Sequence, residues 1–288
     1  MKPIIFCGYS GTGKTTLIRR AAKGLSDRGY RVGYIKHSPH FNREDFLKTE
    51  GIKDTEILLE SGVTKALILA DGLELAYNLA KGGSSEKPGR AKSEILTGKR
   101  LRKKVRELIQ RYEARGSGAE SINLDYLLIE GFKGYDGPIA KVLFGKNRED
   151  IAGLRGGLDV AYGGIGTKDY GLEGLQYLPE DTGPDELADF IEKNSVEFPA
   201  DLDCGECGFP TCREFARELL SGGKSIRDCP PLGEEVVLTV NGRRVVMKGF
   251  VRKTLRDVVL AYVENLHDTE TSSMKKVQIT IREKGDVK

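Results

Sequence analysis

Long apolar runs are missing from this sequence. No stretch approaches the roughly 18 apolar residues that a transmembrane helix needs, so no membrane span is expected. A signal peptide is not expected either, because Met1-Lys2-Pro3-Ile4 leads directly into a short apolar strand. The net charge is only +3 over 288 residues, which is too small to indicate nucleic acid as a partner. These absences favour a cytoplasmic protein that binds neither membranes nor nucleic acid.

Cysteine is scarce over most of the chain and concentrated in one part of it. Four of the five cysteines lie between positions 204 and 229, and the fifth, Cys7, is predicted to be a small core residue of the first strand. In a reducing compartment, such a concentration indicates a metal site rather than a set of disulfides. No internal repeat is visible in the remainder.

Apolar strands alternate with helices over residues 1–194, which predicts a mainly parallel sheet with helices on both faces. The strands are predicted at 3–8, 32–35, 65–70, 126–129, 141–144, 159–162 and 176–178, and helices at 14–28, 99–115 and 184–194. A linker over 195–203, a cysteine domain within 195–233 and a small α+β unit over 234–288 follow. That last unit contains a hairpin around Asn241-Gly242, a helix at 252–266 and a strand at 276–282.

Two segments of the first domain are polar or basic. Residues 82–98 are rich in Gly, Ser and Lys and are predicted to form a mobile loop. The helix at 99–115 places apolar residues on its inner face and seven cations on its outer face: Lys99, Arg100, Arg102, Lys103, Lys104, Arg106 and Arg111. A solvated outer face is favoured, and the alternative is a docking face for a nucleotide or an acidic partner.

A phosphate-binding loop follows the first strand. Residues Gly8-Tyr9-Ser10-Gly11-Thr12-Gly13-Lys14-Thr15 match the P-loop pattern in full, with a strand before it and a helix after it. The glycines let backbone N–H groups turn toward phosphates, and the helix N-terminus adds its positive end. Lys14 is predicted to reach the β- and γ-phosphates, and the Thr15 hydroxyl to coordinate Mg²⁺. The sequence therefore predicts a purine nucleoside triphosphate with Mg²⁺ at this loop, on a P-loop NTPase-like α/β fold.

A carboxylate on the Mg²⁺ side is expected at the end of another buried strand. Glu130 stands there, after Tyr126-Leu127-Leu128-Ile129, and Asp71 is the weaker competitor. His37 and His40 follow the second strand, at the edge where open α/β sheets bind ligands. Asp54 is either a helix N-cap or a residue near the γ-phosphate. No base-reading N-K-x-D pattern is found, so these residues leave ATP and GTP open.

The cysteines follow the spacing Cys204-x2-Cys207-x4-Cys212-x16-Cys229-Pro230. Four thiolates on short loops can hold one tetrahedral Zn²⁺ or an iron–sulfur cluster. Paired C-x2-C knuckles would favour zinc. With one such pair, irregular spacings and a final Cys-Pro, the pattern favours an iron–sulfur cluster of the 4Fe-4S kind.

Over residues 1–194 the sequence resembles the molybdopterin-guanine dinucleotide biosynthesis protein B (MobB) family. The resemblance rests on the P-loop with Thr16 and Leu17, and on four later stretches: Arg28 to His37 with His40, Lys53-Asp54-Thr55 with Glu60-Ser61-Gly62, Leu128 to Lys133, and Leu178 to Ile191. The segment at 82–120 is longer than the usual pattern. The stretch between Asp45 and Asp54 is irregular, so any role for Asp45 is not carried over.

The resemblance implies a homodimeric GTP-binding adaptor for a molybdopterin guanylyltransferase, the enzyme that joins GMP to molybdopterin. The product is the guanine dinucleotide form of the molybdenum or tungsten cofactor, destined for a molybdo- or tungsto-enzyme. The resemblance gives weak GTP hydrolysis at most, with Lys14 and Glu130 as the catalytic candidates. It places phosphates on Lys14 and the loop from Gly8 to Thr16, Mg²⁺ on Thr15 and Glu130, and the neighbouring pocket at Lys36, His37 and Asp54.

The cysteine segment separately resembles the small 4Fe-4S domain of corrinoid iron–sulfur and electron-transport proteins. Common MobB proteins lack this appendage. It motivates an alternative function, an iron–sulfur or metallocofactor maturation ATPase in which nucleotide binding drives cluster or electron transfer. A third alternative is a binding module whose C-terminal unit docks a molybdoenzyme.

Overall fold

The computed structural model describes residues 1–38, 60–70, 73–78, 83–88, 98–113, 123–233, 235–241, 243–266, 276–279 and 281. The chain divides into two compact units, Met1–Val246 and Met247–Lys288. Among the described helices, none combines the length and the apolarity needed to cross a bilayer. The division of residues 1–246 into a nucleotide domain and a cluster domain stays a prediction.

One large sheet organises the first unit. Within the described residues it has nine strands in the order β5-β4-β3-β2-β6-β1-β7-β8-β9. The strands are β1 (Lys2–Gly8), β2 (Val32–Ser38), β3 (Val63–Ala70), β4 (Leu73–Asn78), β5 (Gly83–Pro88), β6 (Tyr126–Glu130), β7 (Ala140–Phe144), β8 (Leu158–Gly163) and β9 (Gln176–Leu178). Seven neighbouring strands, β3-β2-β6-β1-β7-β8-β9, run parallel to one another. Beyond β3, strand β4 is antiparallel to β3 and strand β5 is antiparallel to β4. The mainly parallel P-loop NTPase-like fold is thus confirmed.

Five helices belong to the first unit and one to the second, within the described residues. They are α1 (Lys14–Asp27), α2 (Gly98–Glu113), α3 (Arg148–Leu154), α4 (Pro184–Asn194), α5 (Cys212–Ser221) and α6 (Gly249–Glu264). A two-stranded hairpin, β10 (Leu238–Val240) and β11 (Arg243–Val245), confirms the prediction around Asn241. The backbone of Asn241 has φ of 51°, a left-handed turn conformation that asparagine tolerates.

Alternate residues of β1 face opposite sides of the sheet, and both faces are covered. Ile4 and Phe6 join an apolar layer with α1 and α4, while Ile5 and Cys7 join a second layer with α2 and α3. Helices α1 and α4 approach closely at Gly24, where an added Cβ would lie 2.1 Å from the carbonyl oxygen of Pro184. The sheet is therefore buried on both faces, and its carboxyl edge is left to form the site.

Two predictions of local structure are wrong. The predicted mobile loop at 82–98 contains β5, because the free edge of β3 accepts β4, and β4 accepts β5, in spite of a composition poor in strand formers. The strand predicted at 276–282 is not formed in its described part, residues 276–279 and 281. A strand needs a partner to pair with, and the hairpin strands β10 and β11 pair with each other.

Candidate functional site

The P-loop connects β1 to α1 in a conformation that depends on glycine. Gly11 and Gly13 have φ of 70° and 83°, in the left-handed region that side chains with a Cβ rarely adopt. Gly13 is the N-cap of α1, and no side chain caps this helix end. The first N–H groups of α1 are therefore left for a ligand, and an anion is the ligand that a helix N-terminus favours.

Lys14 folds back over the loop that precedes it. Its ammonium donates hydrogen bonds to the carbonyl oxygen of Tyr9 at 2.5 Å and to the hydroxyl of Thr12 at 3.4 Å. Burial lowers the pKa of Lys14, Glu130 opposes that shift, and the positive charges of Lys133 and Lys36 add to it. Three lysines therefore converge on the loop with one nearby carboxylate. This excess of positive charge suits a triphosphate.

Thr15, in the first turn of α1, meets Glu130 at the carboxyl end of β6, 115 residues later in the chain. The Thr15 hydroxyl lies 3.2 Å from each carboxylate oxygen of Glu130, and Glu130 is only 7% exposed. A hydroxyl and a buried carboxylate at the mouth of a P-loop are oxygen ligands of the kind that Mg²⁺ prefers. The chemistry of these two side chains therefore fits the ion.

Tyr34 was not among the predicted site residues. It is fully buried, and its hydroxyl donates a 2.6 Å hydrogen bond to Glu130 Oε2. In the register of β2 against β6, Tyr34 lies opposite Leu128 and Lys36 lies opposite Glu130, so Tyr34 faces the same side as Glu130. The sequence alone does not indicate this contact, because it depends on β2 and β6 being neighbours in the sheet. The contact fixes the orientation of the carboxylate.

Replacing Tyr34 by phenylalanine tests this contact. We expect Tyr34→Phe to raise the Mg²⁺ concentration needed for half-maximal triphosphate binding about tenfold, because one hydrogen bond to a charged group is lost, worth about 1.5 kcal/mol. Isothermal titration with triphosphate at a series of Mg²⁺ concentrations measures it. Tyr126→Phe, at the opposite end of β6, is the matched control and should leave the Mg²⁺ dependence unchanged. A Tyr34→Phe protein with wild-type Mg²⁺ dependence would contradict the role.

The segment after Glu130 turns sharply beside β2. Gly131 and Phe132 both have positive φ, 113° and 54°, and a Cβ on Gly131 would lie 2.8 Å from the carbonyl oxygen of His37. The rings of His37 and Phe132 stack at a centroid distance of 4.3 Å. The ammonium of Lys133 lies 4.4 Å from the centre of the Tyr9 ring. This turn therefore brings Lys133, which was missed as a site residue, over the P-loop.

The remaining predicted residues fall into three groups. Gly8 and Thr12 are buried, with Thr12 donating to the carbonyl oxygen of Tyr9 at 2.8 Å. Ser10, Gly11 and Thr16 are exposed around the mouth of the loop. The predictions for three further residues lie outside the described part of the chain: His40, Asp54 and Asp71.

The cysteine segment is packed rather than loose. Cys212 begins α5 behind a capping box in which Thr211 and Glu214 satisfy each other's backbone N–H groups. Cys229 lies between two 3₁₀ turns, Ile226–Asp228 and Pro230–Leu232. Around it pack Ala200 and Phe215, with Cys207 partly buried against the same cluster. Cys204 and Cys207 are partly exposed, and Cys212 and Cys229 are buried.

The thiols of this segment have hydrogen-bond donors directed at them. Burial raises the pKa of Cys212 to about 12 and also raises the pKa values of Cys204 and Cys229. Backbone hydrogen bonds oppose this rise, from Asp203 at Cys212, from Glu206 at Cys204 and from Ala200 at Cys229. Metal ligation requires thiolates, and backbone N–H groups aimed at sulfur stabilise them. These hydrogen bonds fit a thiolate-bound metal group, for which Cys204, Cys207, Cys212 and Cys229 stay the predicted ligands.

Arg102 of α2 holds the residues just before the first of these cysteines. Its guanidinium donates to both carboxylate oxygens of Asp203, at 2.6 and 3.1 Å, and to Oδ1 of Asp201 through Nε and Nη2. Arg106 donates to the Asp201 carbonyl oxygen at 2.6 Å. The prediction of a fully solvated outer face is therefore wrong for Arg102 and Arg106, because acceptor groups 95 or more residues later in the chain face them. The predicted linker at 195–203 is likewise fixed, with Ala200 and Asp201 buried.

Comparison with known proteins identifies the first part of the chain. The family model for Molybdopterin guanine dinucleotide synthesis protein B (MobB) matches residues 4–150, just over half of the sequence. The chain belongs to this family. Membership in the MobB family assigns the chain a general role in molybdenum cofactor biosynthesis. A separate family model for an Fe-S cluster segment matches residues 201–231, which include all four clustered cysteines.

Individual relatives match parts of the chain. One component of the ion-translocating oxidoreductase complex from Yersinia pestis is 49% identical over 35 residues, and its counterpart from Thiobacillus denitrificans is 53% identical over 34 residues. Each match takes in 12% of this chain, which spans about a fifth of the length of these curated relatives. MobB from Bacillus subtilis is 21% identical with a TM-score of 0.41, covering 67% of this chain and 97% of that one. A MobB homologue from Bacillus stearothermophilus is 18% identical with a TM-score of 0.36, covering 66% and 92%.

Proposed function

We propose that this MobB-family chain is a GTP-binding adaptor in the biosynthesis of the molybdenum or tungsten cofactor. It assists a guanylyltransferase that attaches GMP to molybdopterin, and it acts as a homodimer. The observation that carries the proposal is the meeting of Thr15 with the buried Glu130 beside Lys14, within a family named for this synthesis. Lys14 and the loop amides bind the phosphates, and Thr15 and Glu130 complete the Mg²⁺ shell.

The same proposal assigns the neighbouring residues. Lys36 and Lys133 add positive charge beside the phosphates, which the lowered pKa of Lys14 supports. His37, stacked on Phe132, shapes the adjoining wall of the pocket. Asp54 stays a residue that the family resemblance predicts for that pocket. Hydrolysis is weak at most, because a P-loop adaptor needs binding and release of nucleotide rather than rapid turnover.

Separate titrations with GTP and ATP test the guanine assignment. We expect GTP in the presence of Mg²⁺ to bind at least tenfold more tightly than ATP, measured by calorimetry on the full chain. Equal affinities or a preference for ATP would contradict the adaptor function. A second arm adds the chain to a guanylyltransferase with molybdopterin and Mg-GTP, and we expect faster formation of the dinucleotide. The matched control is the same addition with the Lys14→Ala chain.

A 4Fe-4S cluster on the four cysteines completes the proposal, with residues 195–233 as its domain and 234–288 as a small C-terminal unit. The alternative function, a maturation ATPase that couples nucleotide binding to cluster or electron transfer, is favoured by one observation. Arg102 and Arg106 lie on a helix of the nucleotide-binding part and bind the segment that carries the cysteines. Transfer of iron to an acceptor on addition of ATP would support that alternative over the adaptor.

A further inference from the structure

The cysteine segment is joined to the nucleotide-binding part through several cations, among them Arg102, Arg106 and Arg213. Arg102 has a side chain that is 15% exposed, and its two partners Asp201 and Asp203 have side chains that are 0% and 32% exposed. A guanidinium that binds two carboxylates away from water is held in a fixed orientation, because each N–H is directed at an oxygen. The contact is thus a rigid attachment rather than a surface ion pair.

Asp203, which Arg102 binds, is also hydrogen-bonded to Cys212. Its carboxylate Oδ1, already held by Arg102, accepts a 2.7 Å hydrogen bond from the Cys212 N–H. Its own backbone N–H donates to the Cys212 sulfur at 3.4 Å. Asp201 and Asp203 both have positive φ, 52° and 44°, a conformation uncommon outside glycine that the network around Arg102 maintains. Two hydrogen bonds thus link the residue that Arg102 holds to one predicted ligand.

Two carboxylates also place negative charge next to the Cys212 sulfur. One carboxylate oxygen of Asp201, one carboxylate oxygen of Asp203 and the sulfur of Cys212 all lie within 4.8 Å of one another. Two carboxylates so close to a thiolate would make reduction of a cluster less favourable. Arg102 neutralises part of that charge. Fixed charge and hydrogen bonds to the sulfurs are among the factors that set the potential of an iron–sulfur cluster.

The other side of α2 faces the sheet that carries the nucleotide site. Leu101, Val105 and Leu108 are buried in the same apolar layer as Ile5 of β1 and Ile129 of β6. These strands end in the P-loop and in Glu130. One helix therefore packs against the strands of the nucleotide site and presents Arg102 to the cysteine segment.

We propose that Arg102 is a positioning residue for the iron–sulfur cluster: it orients Cys212 through Asp203, and its charge raises the reduction potential of the cluster. The inference rests on the proposed presence of a cluster. A wild-type chain without iron overturns both. A wild-type chain with a cluster whose potential ignores Arg102 overturns this inference alone.

The test is an anaerobic potentiometric titration of the full chain with dithionite, which supplies one electron per cluster, followed by EPR. We expect Arg102→Gln to make reduction about tenfold less favourable, a shift of about 59 mV to more negative potential for one electron. Lys103→Gln removes one charge from the adjacent residue, whose side chain is 69% exposed, and should leave the potential unchanged. Arg102→Lys, which keeps the charge and loses the planar fork, should recover part of the shift.

Asp203→Asn tests the same proposal with a second variant, whether or not the Arg102→Gln protein folds. It retains the oxygen that accepts from Cys212 and removes one negative charge, so we expect a shift to more positive potential, opposite in sign to that of Arg102→Gln. Damage to packing alone would not reverse sign between the two variants. Equal shifts in Lys103→Gln and Arg102→Gln, wild-type potential in Arg102→Gln, or no positive shift in Asp203→Asn would each overturn the proposal.

Discussion

The Lys14→Ala protein is expected to lose triphosphate binding almost entirely. The Lys14 ammonium is directed over the P-loop by its bonds to Tyr9 and Thr12, where the phosphates of a nucleotide would replace these partners. A hydrogen bond to a charged group contributes up to about 3 kcal/mol, so we expect a loss of roughly 100-fold in affinity. Calorimetry or equilibrium dialysis with Mg-GTP measures it directly.

A matched variant separates this effect from a general loss of charge. Lys23 lies on the same helix α1, its side chain is 59% exposed, and it pairs with Asp27 at 2.8 Å. Lys23→Ala removes the same charge and should bind Mg-GTP within twofold of the wild type, since exposed ion pairs contribute little. If Lys14→Ala also bound within twofold, the P-loop would not be the nucleotide site.

Substitution of a buried cluster cysteine is expected to remove the cluster. Cys229 is buried against Ala200 and Phe215, and Cys212 is buried at the start of α5. We expect Cys212→Ser and Cys229→Ser to fall from about four irons per chain to less than about one, since each iron of a 4Fe-4S cluster is held by its own thiolate. Iron and sulfide analysis after anaerobic purification, with the visible spectrum, gives the result.

Cys7 supplies the control for this experiment. It is fully buried in β1, and burial raises its pKa to about 11, as befits a neutral core thiol. Cys7→Ala removes a cysteine without changing a predicted ligand, so its iron content should match that of the wild type. Wild-type protein that contained zinc and no iron would contradict the cluster. Iron retained in Cys212→Ser would contradict the assignment of that ligand.

The local elements of the nucleotide site follow from local sequence. The P-loop pattern between an apolar strand and an amphipathic helix specifies where β1 ends and α1 begins, because the glycines and the buried face of α1 are encoded within about 25 residues. Glu130 is recognisable for a similar reason, as a carboxylate at the end of an apolar strand. Its meeting with Thr15 could be expected from the rule that parallel strands share a carboxyl edge.

The contacts that depend on strand order were beyond the sequence. Tyr34 reaches Glu130 only because β6 lies between β1 and β2 in the sheet, although three other strands separate β2 from β6 along the chain. Arg102 looked like one of several solvated cations, since nothing near it in the sequence marks Asp201 as its partner. In both cases a side chain meets its partner through packing of distant segments, which neither composition nor periodicity encodes.

The position of β1 in the sheet has a consequence for synthesis of the chain. Its two neighbours, β6 and β7, end at Glu130 and Phe144, so this apolar strand is made first and has no partner until more than 100 further residues have been made. A nascent chain that ends before Glu130 therefore exposes an unpaired apolar strand, and one edge of β1 stays open until Phe144 is made, a condition that promotes aggregation. The four clustered cysteines follow only after residue 203, by which point every described strand of the large sheet has been made. The order of the sequence thus allows the P-loop and Glu130 to come together before the first of the clustered cysteines, Cys204, leaves the ribosome.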